Sequence, residues 1–135
     1  MSRFPQLLQT VIDAEDVRGL AEFYRQLLGY TYRPGDEPRA DDEAEWLVLR
    51  DEAGTNRLAF QYAEHVEPTT WPSADVPMQM HLDCTVTGRG ELERHRARAE
   101  SLGARMLVDD SDDSDEPLYV FADPAGHPFC IFVAS

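Results

Sequence analysis

The sequence predicts an α+β fold of two tandem βαβββ modules, and three observations carry that prediction. Leu118 to Val133, LYVFADPAGHPFCIFV, reads as a β-hairpin, because two apolar runs flank Asp123-Pro124-Ala125-Gly126. Pro at the second turn position and Gly at its end reverse the chain tightly. The same pattern occurs earlier, in WLVLRDEAGTNRLAFQ from Trp46 to Gln61, whose turn Asp51-Glu52-Ala53-Gly54 lies 72 residues before the later one. Two more landmarks recur at nearly that spacing: Gly29 and Gly103, each closing a helical pattern, are 74 residues apart, and Thr10-Val11 and Thr85-Val86, each ending an apolar run, are 75 apart. Agreement in both order and spacing marks an internal duplication.

Taken in order, Leu7–Ile12 is a short first strand with Leu7, Gln9 and Val11 on one face. Asp13-Ala-Glu-Asp16 puts acids ahead of a helix, where they complement its dipole, with Asp16 as N-cap. Val17, Leu20, Ala21, Tyr24, Leu27 and Leu28 form one apolar stripe, and Gly29 ends the helix. Tyr30–Tyr32 is a second strand, stopped by Pro34-Gly35. Asp36–Glu45 reads as a mobile acidic loop. Strands at Trp46–Arg50 and Arg57–Tyr62 complete a first module of about residues 5–62. Residues 63–77, with three prolines and Trp71, read as an inter-module linker, too proline-rich for a helix.

The second module, about residues 78–135, repeats this order. In Met78–Val86 the residues Met80, Leu82, Cys84 and Val86 alternate with His81, Asp83 and Thr85. The first set is expected to meet a helix and the second a cavity or solvent. Leu92, His95, Ala99 and Leu102 mark that helix, Met106–Val108 the next strand, and the acidic run Asp109–Glu116 precedes the closing hairpin. An EF-hand loop started at Asp109 would place Ser114 where Gly is required and Val120 where the bidentate Glu belongs, so the run reads as a solvated loop tip.

The 135 residues allow one compact domain, and halves of this size are expected to pack together. With 12 basic against 26 acidic residues the net charge is −14, which argues against nucleic acid and anionic membrane surfaces and is compatible with a cationic ligand. No apolar run approaches the ~20 residues of a membrane span. MSRFPQLLQT lacks a signal-peptide core, so a cytoplasmic protein is expected. Cys84 and Cys130 show no CxxC spacing and read as reduced, buried thiols.

Asp16 with Glu22-Phe-Tyr24 and Leu28-Gly29, then Met80-His81-Leu82-Asp83, then Asp123-Pro124-Ala125-Gly126-His127, span nearly the whole chain. In this arrangement the chain resembles the vicinal oxygen chelate superfamily, which includes glyoxalase I, extradiol dioxygenases, and fosfomycin and bleomycin resistance proteins. The resemblance implies curved mixed sheets around a shared cavity, a small-molecule ligand or substrate, and pairing as a homodimer. It also implies that the positions lining the cavity are Gln9, Gln61, His81 and Cys130, Cys130 standing where metal-dependent members carry an acid. Two neutral amides and no carboxylate suit a hard divalent ion poorly, so no cofactor is expected. A divalent metal, if bound, falls to Gln9, Gln61 and His81.

The first functional reading is therefore a metal-free binding protein. Its ligand-binding residues are Gln9, Trp46, Gln61, Trp71, His81 and Cys130, with Phe60 and Tyr119 as further aromatics; aromatic faces among acids suit a planar cation. The alternative is a metal-dependent lyase, isomerase or dioxygenase of glyoxalase type, with His81 and Asp83 as catalytic candidates. A third reading is metal-free acid–base catalysis by His81 with Asp83 or Cys130.

Overall fold

The computed structural model describes residues 3–134. In chain order it contains β1 (Thr10–Ala14), α1 (Val17–Leu28), β2 (Thr31–Tyr32), β3 (Trp46–Arg50), β4 (Asn56–Tyr62), β5 (Leu82–Val86), α2 (Arg89–Leu102), β6 (Arg105–Asp110), β7 (Leu118–Ala122) and β8 (Pro128–Val133). The chain divides between His65 and Val66 into two compact units. Each holds one four-stranded sheet, ordered β1-β4-β3-β2 in the first and β5-β8-β7-β6 in the second. β1 pairs with β4, and β5 with β8, in parallel; the remaining pairs are antiparallel. The fold is thus α+β with two like modules of mixed sheet, as the duplication predicts.

The duplication extends to individual hydrogen bonds. In the first hairpin turn the Asp51 carboxylate accepts from the amides of Ala53 and Thr55, both at 3.0 Å. In the second, the Asp123 carboxylate accepts from the amides of Ala125 at 2.9 Å and His127 at 3.0 Å. The third following residue is a glycine at positive φ in both, Gly54 at 81° and Gly126 at 94°. An Asp that satisfies the turn's own amides and a Gly that tolerates the left-handed region are what these tight turns require.

In the first unit the Asp16 side chain caps α1 by accepting from the Gly19 amide at 2.9 Å, and Gly29, at φ 71°, closes it. The stripe Val17, Leu20, Ala21, Tyr24 and Leu27 is buried, joined by Phe23. Tyr24 stacks on Phe60 of β4 with ring centroids 6.0 Å apart. Burying each such large side chain contributes roughly 1.5–3 kcal/mol.

β1 starts later in the chain than expected. Ile12 and Ala14 are buried, whereas Val11 is exposed. Leu7 and Gln9 precede the strand, which starts at Thr10 because pairing with β4 begins at Leu58. The acidic loop after β2 is also better anchored than its composition suggests. Arg18 of α1 donates to the Asp36 carbonyl at 2.7 Å and pairs with the Asp42 carboxylate, while the Asp36 carboxylate accepts the Val48 amide at 2.9 Å.

In the second unit Tyr119, Phe121, Phe129 and Ile131 are buried. Phe121 and Phe129 stack at 5.1 Å, and the Tyr119 hydroxyl donates to Glu93 of α2. β5 is shorter than its alternating sequence. It begins at Leu82, opposite Phe129, and Met80 is 75% exposed rather than facing the helix. Two residues further back the ladder would reach His127, whose amide is already held in the turn by Asp123.

The segment expected as linker is partly built into the second unit. The Thr69 amide donates to the Gly126 carbonyl at 3.2 Å, and Thr69 is buried. The Thr69 hydroxyl and the Thr70 amide both donate to the Val76 carbonyl, closing a compact loop.

Candidate functional site

On the face of the second sheet that carries Asp83 and Cys130, three polar side chains converge. An extended chain alternates its side chains, so His81 and Asp83, two residues apart, project together. Asp83 is the direct cross-strand partner of Cys130, which sits on β8 between β5 and β7. Register therefore sets the cluster. One Asp83 oxygen, Oδ1, lies 3.0 Å from His81 Nε2 and accepts from Cys130 Sγ at 2.7 Å. His81 and Asp83 are exposed, while Cys130 is buried in the sheet.

The electrostatics make Cys130 a proton donor. Burial pushes its thiol up to about 12, with the hydrogen bond to Asp83 and the charge of that carboxylate adding to the shift. Cys84, on the neighbouring inward position of β5, is raised to about 11 by burial first and by the Asp83 charge second. Neither thiol is a thiolate nucleophile near neutral pH. The pairing of Asp83 with Cys130 and His81 is closer than the sequence indicated; the legible signal was the shared face of His81 and Asp83.

In the first unit, Trp46 and Gln61 face each other across β3 and β4, and the Gln61 amide donates to the Asp13 carboxylate at 3.0 Å. Trp46 is 38% exposed, with Val11 open on the same sheet. Gln9 lies elsewhere. Its side-chain oxygen accepts from Asn56 at 3.2 Å, and it precedes Asp13, the partner of Gln61, by four residues. At about 3.3 Å per residue that is an offset of about 13 Å, so the strand register does not bring Gln9 and Gln61 side by side. Asp13 is the polar neighbour of Gln61 that sequence reasoning missed.

Trp71, in the loop closed by Thr69 and Val76, is half-buried and donates its amide to the Thr69 hydroxyl at 3.1 Å. Phe60 and Tyr119 are core residues, packed against the helices. His65 is exposed, near Glu15; His95 is half-buried among Arg94, Arg98 and Glu91.

For metal binding, the residues that converge are His81, Asp83 and Cys130, whose ligating atoms all lie within 4.8 Å of one another. One nitrogen, one oxygen and one sulfur donor match zinc, whose bonds to such atoms run about 2.0–2.3 Å. Donors in a tetrahedral site then sit roughly 3.4 Å apart, so the cluster fits with a small opening and loss of the thiol proton.

A duplicated βαβββ protein with a polar cluster on its open sheet face is the class that the fold and site define. The chain belongs to the glyoxalase-like domain family, whose model matches residues 9–132. It thereby falls within the glyoxalase/bleomycin resistance/dioxygenase group of the vicinal oxygen chelate superfamily. No curated protein matches the sequence. Among solved structures, a glyoxalase/bleomycin resistance protein/dioxygenase family enzyme from Burkholderia phytofirmans PsJN is 15% identical with a TM-score of 0.71, covering 95% of this chain and 98% of that one. A glyoxalase/dioxygenase from Nostoc punctiforme is 15% identical with a TM-score of 0.69, covering 96% and 91%. A glyoxalase-related enzyme from Fulvimarina pelagi is 18% identical with a TM-score of 0.68, covering 97% and 89%. At these identities the likeness is one of fold.

Proposed function

We propose that this glyoxalase-like protein binds a small molecule on the open faces of its sheets. The observation that supports the reading best is the cluster of His81, Asp83 and Cys130, three polar side chains gathered around one carboxylate oxygen on a helix-free face. Evolutionary family alone implies no activity; a group of convergent polar side chains on an otherwise apolar framework is what fixes a ligand's orientation.

The open face of the first sheet supports a ligand class. Trp46 offers an aromatic surface beside Gln61, which is hydrogen-bonded to the Asp13 carboxylate. An aromatic face near a carboxylate suits a planar cation, and the net charge of −14 favours its approach. Titration with an acridinium dye, followed by tryptophan fluorescence, tests this. Saturable quenching that weakens at least about tenfold, or about 1.4 kcal/mol, in Trp46→Ala supports the reading. No saturable response in the wild-type protein would overturn the cationic assignment.

A second reading is favoured by the donor set itself. A divalent ion held by His81, Asp83 and Cys130 would supply Lewis-acid polarisation of a substrate oxygen, as metal-dependent lyases, isomerases and dioxygenases require. In that reading the exposed His81 and Asp83 would hold the ion from the solvent side and Cys130 from within the sheet. Two free cysteines and an acidic chain accord with a cytoplasmic location, and the exposed Leu7, Leu8 and Met80 accord with a homodimer. No helix among the described residues is long and apolar enough to cross a membrane.

A further inference from the structure

We infer that a cavity in the first unit, between α1, β2 and the loop that follows β2, is a second binding site, for a compact aromatic monocation of the amidinium or ammonium kind. The cavity has a volume of about 380 Å³ and is lined by Glu22 and Arg25 of α1, by Tyr30 and Tyr32, and by Glu37 and Pro38 of the loop. It is distinct from the face that carries Trp46 and Gln61. Phe60 stacks on Tyr24 of α1, so its neighbour Gln61 projects from the opposite side of the sheet. Tyr32 reaches Glu22 of α1 with its hydroxyl, which puts the cavity on the helix side.

The walls are fixed before any ligand arrives. Arg25 closes its Nε and Nη2 on the two oxygens of Glu22, at 2.7 and 3.0 Å, and the Tyr32 hydroxyl donates to the same carboxylate at 2.5 Å. Arg18 lies over the Tyr32 ring, 4.8 Å from its centroid. It also donates to the carbonyls of Asp36 at 2.7 Å and Glu37 at 3.2 Å, which ties the loop wall to α1. Its own charge is matched by Asp42. Side chains already held in place lose little freedom when a ligand binds.

The charge that remains sets the sign of the ligand. Arg25 is paired with Glu22, and Glu37 adds a second carboxylate to the lining. The Gly35 amide donates to both Glu37 oxygens at 3.0 Å, which holds this carboxyl below the usual carboxylate range; the hydrogen bond from Arg25 does the same for Glu22. Both are ionised at neutral pH, so the lining carries one negative charge in excess. One amide proton leaves Glu37 with lone pairs to spare, whereas Arg25 has committed its fork to Glu22 and is closed to a ligand carboxylate. Two tyrosine rings and Pro38 offer flat apolar contact, and tyrosine faces attract cations. The volume lies near the small end of the about 300–1,000 Å³ usual for ligand sites, which selects one ring over a polycyclic ligand.

The test uses the full chain, isotope-labelled for amide NMR and titrated with benzamidine. The expected result is saturable shifts of the Tyr30, Thr31, Gly35 and Glu37 amides, with the Trp46 indole unmoved. Glu37→Gln, at an exposed position and able to keep the Gly35 hydrogen bond, should raise the dissociation constant at least about tenfold. Neutral benzamide and anionic benzoate should each bind at least about tenfold more weakly than benzamidine. No saturable shift at these amides with millimolar benzamidine would overturn the inference. So would benzoate binding as tightly as benzamidine, or unchanged affinity in Glu37→Gln. Shifts confined to Trp46 and Gln61 would assign the cation to the other side of the sheet and also remove this site. The acridinium titration depends on Trp46 and this one on the helix side, so either site can fail alone.

Discussion

One oxygen of Asp83 meets both His81 and Cys130, and the consequence falls on the thiols. Because burial and the Asp83 charge hold Cys130 at about 12 and Cys84 at about 11, chelator-stripped protein should resist alkylation at pH 8. Mass spectrometry after iodoacetamide checks this: modification of the folded protein should become rapid only as the pH passes about 11, whereas the denatured chain reacts readily. Fast labelling of Cys130 at pH 8 would contradict the protonated thiol described above. A second residue-scale prediction concerns Tyr32, whose hydroxyl donates to Glu22 at 2.5 Å beneath the Arg18 guanidinium. Burial first, and the Glu22 bond second, raise Tyr32 to about 12. Its folded pKa lies above the unfolded value of about 10, so its contribution to stability is full below about pH 10 and is lost as the pH climbs through 12. Ultraviolet titration of tyrosinate should show a phase near pH 12 that disappears in Tyr32→Phe.

At the scale of elements, the hairpin turns carry the most specific requirement. A Cβ added at Gly126 would lie 2.5 Å from Pro68 Cβ and 2.7 Å from Pro68 Cα, at a φ of +94° that side chains rarely adopt. The same addition at Gly54 meets nothing within 4 Å. Both substitutions to Ala cost about 1 kcal/mol of backbone strain, but only Gly126→Ala also forces the loop at Pro68 and Thr69 to move. Thermal unfolding should therefore place Gly126→Ala well below Gly54→Ala, by several degrees. Equal melting temperatures would mean that the Pro68 contact is absent in solution. These turns were legible in sequence because an Asp and a Gly at fixed spacing satisfy local amides and local φ, with no help from the rest of the chain. The helices were legible for a similar reason: Asp16 and Gly29 mark the ends of α1 in the sequence itself. β1 and β5 were less so. Their starts are set by where pairing with the partner strand begins, at Leu58 and Phe129, which is information no local pattern holds. The same limit applied to the site, since Asp83 meets Cys130 through a pairing 47 residues long.

For the whole molecule, the decisive quantities are surface charge and exposed apolar area. Leu7 is 93% exposed and Met80 75%, with Leu8 and Phe4 also open. Isolated exposed hydrophobes are ordinary, but several large ones on a chain this short are the kind of surface that association covers. A net charge of −14 opposes self-association through repulsion, and salt weakens that repulsion over a Debye length of about 10 Å at 0.1 M. A homodimer held by apolar contact against like charge should therefore tighten with added salt, the reverse of one held by ion pairs. Sedimentation equilibrium at low and high sodium chloride checks both parts. The expected species is twice the 15.3 kDa chain mass, with a dissociation constant that falls as salt rises. Leu7→Asp with Leu8→Asp should shift the equilibrium to monomer by at least about tenfold, or about 1.4 kcal/mol, if these side chains lie in the interface. A monomer at all salt concentrations would show that the exposed apolar residues remain solvated, and would remove the homodimer from the functional reading while leaving the His81–Asp83–Cys130 cluster, which lies within one unit, untouched.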